Sequence, residues 1–397
     1  MKNKKILFSY IRIILTLFLL KSFPIFAEEG ITDTEIRIGL NGPLTGPAAL
    51  WGEIITGSTL LFDIVNSEGG IYGRKIKYFA LDDNYNPSFT KSLVKEVSEK
   101  IGIFIWGACV GTEPSIAIKD YLLNRNIPWV SPVSGASLFT SPSQKYIFGL
   151  YPLFSIDASI LSRFAIKNLD KKLIAVVYQN DRYGKLALEG VIKELSKFNI
   201  SLICQIPVET SGTKMKNVAQ KLQEINTDTV LIFTTPFTAL NLLKASKDIN
   251  FYPQWMSSFT FSDFSFMNKM SNGLFNGMIT TSIGDFSETP LLKKYKEALK
   301  RLKPLQNEWT VMIHAGVAWT EPIIEALKRC GRNLSREKFI KEMEGLTNFK
   351  GIGPEISFKP YDQNDSECRR GIKDLYLVQC LENGKAKKLS EWIRISE

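Results

Sequence analysis

The sequence predicts an α/β protein with two doubly wound, mainly parallel sheets. Strand and helix patterns alternate over residues 35–131, and the same alternation starts again at residue 173. Such alternation is typical of parallel sheets that are covered by helices. The chain has 397 residues, of which 44% are hydrophobic and 23% charged. It is therefore long and apolar enough for two or three globular domains, and we expect two Rossmann-like ones.

The first run opens with residues 35–40, in which polar and apolar side chains alternate as in a half-buried strand. A helix follows, and it is expected to end at Gly69-Gly70, a pair suited to a helix C-terminus and turn. The later elements are strands over 76–83, 101–106 and 127–131 and helices over 87–100 and 112–125, the last with Thr112 as its N-cap.

The second run starts with a strand over 173–178. It continues with strands over 201–207, 229–233, 254–258 and 278–282 and with helices over 184–198, 214–225 and 238–247. Two further helices are predicted over 291–301 and 311–329, and two further strands within 356–381. The two runs show no sequence repeat, so two separate α/β units are predicted without evidence of duplication.

The first 27 residues have the pattern of a secretory signal peptide. Residues 1–5 are basic, residues 6–20 are strongly apolar, and Ala27 offers a small residue for cleavage before Glu28. A transmembrane anchor is the alternative, but Arg12 interrupts the apolar run, which falls short of the roughly 20 residues that a spanning helix needs. The mature protein is therefore expected to be exported, which means the periplasm in a bacterium with two membranes.

Charge and cysteine content narrow the function classes. Of the net charge of +10, residues 1–27 contribute +5, so the rest of the chain is only mildly basic and has no Lys/Arg block typical of nucleic-acid binding.

The five cysteines are an odd number, which leaves at least one thiol free within a monomer. Cys368 and Cys380 are the best candidates for a disulfide, and burial as small hydrophobic residues is the alternative.

The motifs of common enzymes are missing. No GxGxxG follows the first strand, and neither a phosphate-binding Walker loop nor a GxSxG motif occurs. The single histidine, His314, lies in an apolar helical stretch where packing or capping is the more frequent role. Asp82-Asp83 could ligate a cation or hold loop backbone groups. We therefore expect a protein that is not an enzyme and has no cofactor or metal.

The loops that follow the strands carry the positive signal, because ligands of open α/β sheets bind beyond the carboxyl ends of the strands. The loop ending in Gly111-Thr112 leads from a strand into a helix, and such a helix start attracts anions. Residues 133–136 form a second small, polar loop, and Trp51 and Tyr183 could supply flat apolar walls. Each feature alone could be an ordinary turn or packed ring. Together they suit a small ligand with a carboxylate.

At this point the chain resembles the periplasmic solute-binding proteins of ABC importers, type I, in the branched-chain amino acid (leucine-binding) superfamily. The matching stretches occur in order over almost the whole mature chain. They are 38–46 with Trp51-Gly52, 65–76, Asp82-Asp83 with Pro87, Gly111-Thr112, 126–128, 134–137, 177–185 and 327–331. The stretch over 177–185 is the sharpest single motif. The set is specific although each member is weak.

The resemblance implies two lobes, 28–150 plus 284–352 and 151–283 plus 353–397, joined by three crossover strands with the ligand in the cleft between them. It implies a soluble receptor, expected to be a monomer, that delivers a small molecule to an inner-membrane ABC permease. A ligand sensor for a membrane signalling receptor is the alternative, and an exported hydrolase fits less well. The ligand-binding residues carried over from the resemblance are Trp51, Val110, Gly111, Thr112, Val133, Ser134, Gly135, Ala136, Tyr183, Thr235, Phe237 and Phe259.

Two departures from the family pattern bear on the ligand. Amino-acid binders of this family carry an acidic residue near the position of Phe259, which pairs with the ligand ammonium, and here no acid precedes Asp263. A buried ammonium without a carboxylate is costly, so we expect a ligand that is not a standard α-amino acid unless Asp263 fills the role. The family's disulfide partners match Cys109 and Tyr85, so that bridge is lost and Cys109 is expected as a free thiol near the cleft.

Overall fold

The chain forms two α/β lobes, each built on one sheet, as the sequence predicts. The computed structural model describes residues 28–284, 288–306 and 308–394, and the proposed signal peptide lies outside these residues. The strands are β1 (Glu35–Gly42), β2 (Lys75–Asp82), β3 (Ile105–Val110), β4 (Trp129–Val130), β5 (Pro132–Val133), β6 (Ile147–Phe148), β7 (Ile174–Gln179), β8 (Cys204–Val208), β9 (Thr229–Phe233), β10 (Gln254–Ser257), β11 (Ile279–Ser282), β12 (Asp374–Cys380), β13 (Ala386–Lys388) and β14 (Ile393–Arg394).

Helices cover both sheets, and most of them begin at a side-chain N-cap. Asn86, Asp181, Thr235, Thr289, Thr310 and Ser335 each accept a backbone N–H of the following first turn. The helices are α1 (Ala49–Ser67), α2 (Pro87–Ile101), α3 (Thr112–Asn124), α4 (Phe154–Leu169), α5 (Arg182–Ser196), α6 (Met215–Glu224), α7 (Pro236–Asp248), α8 (Phe264–Met270), α9 (Pro290–Leu302), α10 (Val311–Cys330) and α11 (Arg336–Glu344).

Lobe 1 contains a parallel sheet in the order β2-β1-β3-β4-β6, with β5 paired to β3. Lobe 2 contains the order β13-β12-β11-β10-β9-β7-β8, in which β7 to β11 pair in parallel and β12 to β14 add an antiparallel edge. Every residue of β3 and β9 is buried, as expected for parallel strands covered on both faces.

The chain passes between the lobes three times. It leaves the lobe 1 sheet after β6, returns to lobe 1 after β11, where α9, α10 and α11 pack, and re-enters the lobe 2 sheet at β12. This topology confirms the two-lobed fold with three crossovers. The sequence-derived limits of the two lobes stay a prediction.

A close helix pair forms the centre of lobe 1. Helices α1 and α10 cross at Gly57 and Gly316, and a Cβ on either glycine would overlap a carbonyl oxygen of the opposite helix, that of Ile313 or Ile54. Because glycine has no side chain, the two helix backbones are in contact at this point. The close helix pair places Trp51 on α1 and Met312 on α10 on the same side of the lobe.

A buried carboxyl group connects segments of lobe 2 that lie next to two of the crossovers. Asp157, in the first turn of α4, accepts hydrogen bonds from the Thr281 hydroxyl at 2.5 Å and from the backbone of Phe259. Thr281 lies on β11 just before the second crossing, and α4 follows the first. Burial raises the pKa of Asp157 to about 7.

Several sequence predictions are corrected. Only one strand, β12, occurs within 356–381, because Ile356 forms just an isolated bridge to Phe349. Gly111, not Thr112, is the N-cap of its helix. Cys368 and Cys380 are both free and buried, so the expected disulfide is wrong and the alternative of buried thiols holds. Helices α4, α8 and α11 and the short strands β5, β6, β13 and β14 were not predicted.

Three further observations concern His314, membrane-spanning helices and metal ligands. His314 is buried in α10, where its Nδ1 accepts from Trp309 Nε1 at 3.4 Å and its Nε2 lies 3.1 Å from the Ile352 carbonyl oxygen. Within the described residues, no helix is both long and apolar enough to cross a bilayer. No group of three His, Cys, Asp or Glu side chains there could hold a metal ion.

We expect Gly316→Ala to destabilise the protein by about 1–3 kcal/mol, because the added methyl group would push against the backbone of α1. Thermal unfolding followed by circular dichroism measures the loss. Gly345→Ala is the matched control, since Gly345 has φ −81° and its added Cβ would meet nothing closer than 3.5 Å. Equal effects of the two substitutions would contradict the helix-contact explanation.

We expect the stability contribution of Asp157 to depend on pH. Its folded-state pKa of about 7 lies above its ordinary value of 3.8, so this contribution is fully present below about pH 4 and is lost as pH rises through 7. Melting temperatures from pH 5 to 8 should therefore fall more steeply for the parent than for Asp157→Asn. Asp248→Asn, at an exposed carboxylate, is the control. Parallel pH profiles for the parent and Asp157→Asn would refute this role.

Candidate functional site

An aromatic cavity lies where the two lobes meet. It encloses about 30 Å³ of space that water can enter, enough for one or two water molecules. Lobe 1 contributes α1, the β3–α3 loop, β5 and α10, whereas lobe 2 contributes α5 and the turn after β10. The lining residues are Trp51, Ile54, Tyr85, Val110, Gly111, Thr112, Val133, Tyr151, Phe154, Tyr183, Phe259, Thr260 and Met312.

Six of these side chains form a continuous line of rings across the lobe boundary. Neighbouring ring centroids are 4.8–6.0 Å apart, in tilted or edge-to-face orientations. In order, the rings are Tyr85, Trp51, Tyr183, Phe154, Tyr151 and Phe259. Such distances and orientations are favourable between aromatic rings, so the cavity wall can accept another flat or apolar group.

Two hydrogen-bond donors of this wall have no partner. The indole N–H of Trp51 and the hydroxyl of Tyr183 are buried and unpaired among the described residues. The Tyr183 hydroxyl faces Ser258 and Thr260, whose hydroxyls bond each other at 2.7 Å instead. Burial raises the pKa of Tyr183, so its hydroxyl stays protonated at neutral pH. One donor comes from each lobe, and leaving a buried donor unpaired costs about 1–3 kcal/mol.

The start of α3 forms one end of the cavity. Gly111 is its N-cap at φ 109°, a conformation that favours glycine, and no side chain caps this helix end. A Cβ at Gly111 would collide with the ring of Tyr85. The Thr112 hydroxyl lies 2.8 Å from that of Ser134, which ties this loop to the loop after β5. The free N–H groups of a helix start attract anions.

A buried polar network places Tyr85. Asp83 accepts the Tyr85 backbone N–H at 2.9 Å, the Asn41 amide at 2.7 Å and the Thr90 hydroxyl at 3.0 Å. The same Asn41 amide donates to the Cys109 sulfur at 3.0 Å. Cys109 is a free thiol, as predicted, and burial raises its pKa, so it stays protonated at neutral pH. Of the two roles left open for the Asp82-Asp83 pair, the structure shows that of holding loop backbone.

The structure gathers seven of the twelve sequence-predicted residues around the cavity. They are Trp51, Val110, Gly111, Thr112, Val133, Tyr183 and Phe259. Three others support the wall without lining it: the Ser134 hydroxyl bonds Thr112, the Gly135 carbonyl accepts the Phe154 N–H, and Ala136 is buried beside them.

Two predicted ligand-binding residues lie away from the cavity. Thr235 is buried and caps α7, and Phe237 is 46% exposed on the surface, so neither side chain lines the cavity. The residues that sequence reasoning missed are Ile54, Tyr85, Tyr151, Phe154, Thr260 and Met312. Tyr85 lies in a loop that follows a strand and could have been flagged. Tyr151 and Phe154 follow β6, which is only two residues long and leaves no periodic signal.

No acidic side chain lines the cavity among the described residues. Asp263 lies in a smaller adjoining pocket and is already engaged: its carboxylate accepts the backbone N–H of Phe266 at 3.1 Å and that of Val311 at 2.8 Å. Asp157 lies behind Phe259, where its hydrogen bonds hold that residue's backbone. Neither carboxylate belongs to the lining of the cavity.

Comparison with known proteins matches this architecture. The profile of a family described as periplasmic binding protein matches residues 35–385, which includes both sheets. The Leu-, Ile-, Val-, Thr- and Ala-binding protein of Pseudomonas aeruginosa is 26% identical over 175 residues, 43% of this chain and 45% of that protein. The matched part of the chain thus spans about half the length of that relative.

Two solved structures share the fold over nearly their whole length. A fatty acid ABC transporter substrate-binding protein from Thermomonospora curvata has a TM-score of 0.80 at 21% identity, covering 93% of this chain and 94% of that one. A branched-chain amino acid ABC transporter protein from Thermus thermophilus with bound valine has a TM-score of 0.82 at 16% identity, covering 92% and 98%. The chain belongs to the periplasmic binding protein family.

Proposed function

We propose that this protein is an exported solute receptor that captures a small carboxylate-bearing ligand between its lobes. The ligand is amino-acid-like or an aromatic or apolar acid, and the receptor delivers it to an inner-membrane ABC permease. The observation that carries the proposal is the aromatic cavity with one unpaired buried donor on each lobe, Trp51 Nε1 and Tyr183 Oη. A ligand that accepts from both would join the lobes and favour their closed arrangement.

The cavity wall favours a ligand that has a hydrogen-bond-accepting group at one end and is otherwise apolar. The wall offers two ring donors, the Thr112 hydroxyl and the uncapped start of α3, all of which suit a carboxylate. The rest of the lining is aromatic or aliphatic. A flat or branched apolar group can pack against these rings, and its removal from water contributes about 25 cal/mol for each Å² buried.

The absence of an acid from the described lining favours a ligand without an ammonium group. An unpaired ammonium in an apolar cavity loses its hydration without compensation. Asp263 lies outside the cavity lining, and each of its carboxylate oxygens already accepts one backbone N–H group. An apolar or aromatic acid therefore fits better than an α-amino acid. The relatives carry names for both kinds of ligand, a fatty acid and branched-chain amino acids.

Ligand entry requires movement. The cavity has room for only one or two water molecules, so the lobes must separate at the three crossovers or the rings must turn to admit a carboxylic acid with an apolar body. Hinge closure around a ligand is an established motion of two-lobed binding proteins. In the closed arrangement the ligand would be enclosed, which suits capture and delivery and requires no chemical reaction. No observation favours the sensory alternative over import.

We expect desamino acids to stabilise the protein more than the matching amino acids. The pairs are 4-methylpentanoate with leucine and 3-phenylpropanoate with phenylalanine, which differ only in the ammonium group. Ligand at 100 times its dissociation constant adds about 2.7 kcal/mol, which a thermal-shift assay detects readily. A larger shift with leucine would contradict the ammonium argument but keep the receptor. No shift with any of the four would contradict the proposed carboxylate specificity.

We expect Trp51→Phe and Tyr183→Phe to weaken the binding of 3-phenylpropanoate roughly ten-fold each. Both keep the ring and remove one donor, and a hydrogen bond to a charged group contributes about 1.5–3 kcal/mol. Calorimetric titration gives the dissociation constants. Phe237→Leu, at an exposed ring outside the cavity, should bind like the parent. Unchanged affinity in both donor variants would show that the cavity is not the binding site.

A further inference from the structure

We infer that Glu113 and Asp263 are positioning residues that hold the two lobes together. Each carboxylate belongs to one lobe and accepts a backbone N–H from the first residue of a helix in the other lobe. Both contacts involve residues that are next in the chain to residues lining the cavity. Glu113 follows Thr112, Arg182 precedes Tyr183, and Val311 precedes Met312. We call these two interactions the Glu113 contact and the Asp263 contact.

The Glu113 contact joins α3 of lobe 1 to α5 of lobe 2. The Glu113 carboxylate accepts the Arg182 backbone N–H at 3.3 Å, and the Arg182 Nε lies 3.9 Å from the same oxygen. Both side chains are partly exposed. The Asp181 carboxylate, which caps α5, lies close enough to the Glu113 carboxylate for the two negative charges to repel each other. This contact therefore depends on the N–H and guanidinium donors of Arg182 and is the weaker of the two.

The Asp263 contact joins the loop after β10 of lobe 2 to α10 of lobe 1. One carboxylate oxygen caps its own helix α8 through Phe266 N–H, whereas the other accepts the Val311 N–H at 2.8 Å. Thr310, the side-chain cap of α10, also donates to Glu53 on α1, so the helix start is anchored within lobe 1. The Lys269–Glu308 ion pair, 3.1 Å long, connects the same two segments but is largely exposed.

These contacts must break when the lobes separate, because the elements they join meet only across the cleft. A carboxylate at a helix start interacts favourably with the free N–H groups and the positive end of the helix dipole. Loss of the contact is more costly for Asp263, because its carboxylate is half-buried and would lose one of the two N–H donors that replace water. The two residues thus favour the closed arrangement without touching the ligand.

Conservative substitutions separate a contact between lobes from a local cap. Asp263→Asn has one acceptor oxygen in place of two, so it keeps either the α8 cap or the contact with Val311. Val311→Pro removes the same contact from the other side, since proline has no N–H and is well tolerated at the first position of a helix. Thr310 has ψ 164°, an extended conformation compatible with a following proline. Glu113→Gln removes the charge of the other contact.

The test compares these variants in ligand-free protein by small-angle X-ray scattering and by acrylamide quenching of tryptophan fluorescence. Quenching of the Trp51→Phe protein supplies the background from the other tryptophans. We expect Val311→Pro and Asp263→Asn to increase both the radius of gyration and the quenching of Trp51, with a smaller increase for Glu113→Gln. Glu325→Gln, which breaks an ion pair within α10, should match the parent in both readouts.

A parent-like radius and quenching in Val311→Pro and Glu113→Gln would overturn the inference. A second outcome would also overturn the inference. In it, Asp263→Asn lowers the melting temperature without increasing the radius of gyration, and Val311→Pro has the radius and quenching of the parent. Asp263 would then only cap α8. Neither readout involves a ligand. The inference can therefore fail while the proposed receptor function stands, and it can hold even when every ligand in the thermal-shift panel fails.

Discussion

Parallel strand pairing in both sheets is the constraint on which the site depends. Because parallel strands all end at the same edge of a sheet, the loops after β3, β5, β7 and β10 collect at one edge in each lobe. The three crossovers turn these two edges toward each other. Residues that are far apart in the chain, such as Val110, Tyr183 and Phe259, consequently line one cavity.

Buried carboxylates organise the loops around that cavity and leave its described lining free of acids. Asp83 holds the backbone of Tyr85, Asp157 holds that of Phe259, and Asp263 accepts the first N–H of α10. Each of these carboxyl groups accepts hydrogen bonds from loop or helix groups, as burial of a polar group requires. The acids therefore stabilise the walls, and this distribution underlies both the proposed preference for an acid without an ammonium group and the inferred role of Asp263 in lobe closure.

Tyr85 illustrates how a departure from the family pattern changes the site. The resemblance implies a disulfide partner of Cys109 at this position, but here the Tyr85 ring packs against Trp51 and covers Gly111 at the start of α3. The loop is held by the Asp83 network rather than by a covalent bond. Tyr85 thus lines the cavity beside the start of α3 and contributes a ring to the aromatic wall.

The sequence by itself determined the strand–helix alternation, the loops that reach the cleft and the lack of an acid near Phe259, because periodicity, turn residues and local spacing are short-range properties. It did not reveal α4, α8 or α11, nor the wall residues Tyr151 and Met312, since their neighbours are distant in the chain. Only the tertiary structure decided these, as it decided that Phe237 faces solvent and that Asp263 bonds to α10. Contacts between lobes arise from how the crossovers place the two sheets, and no local pattern encodes that placement.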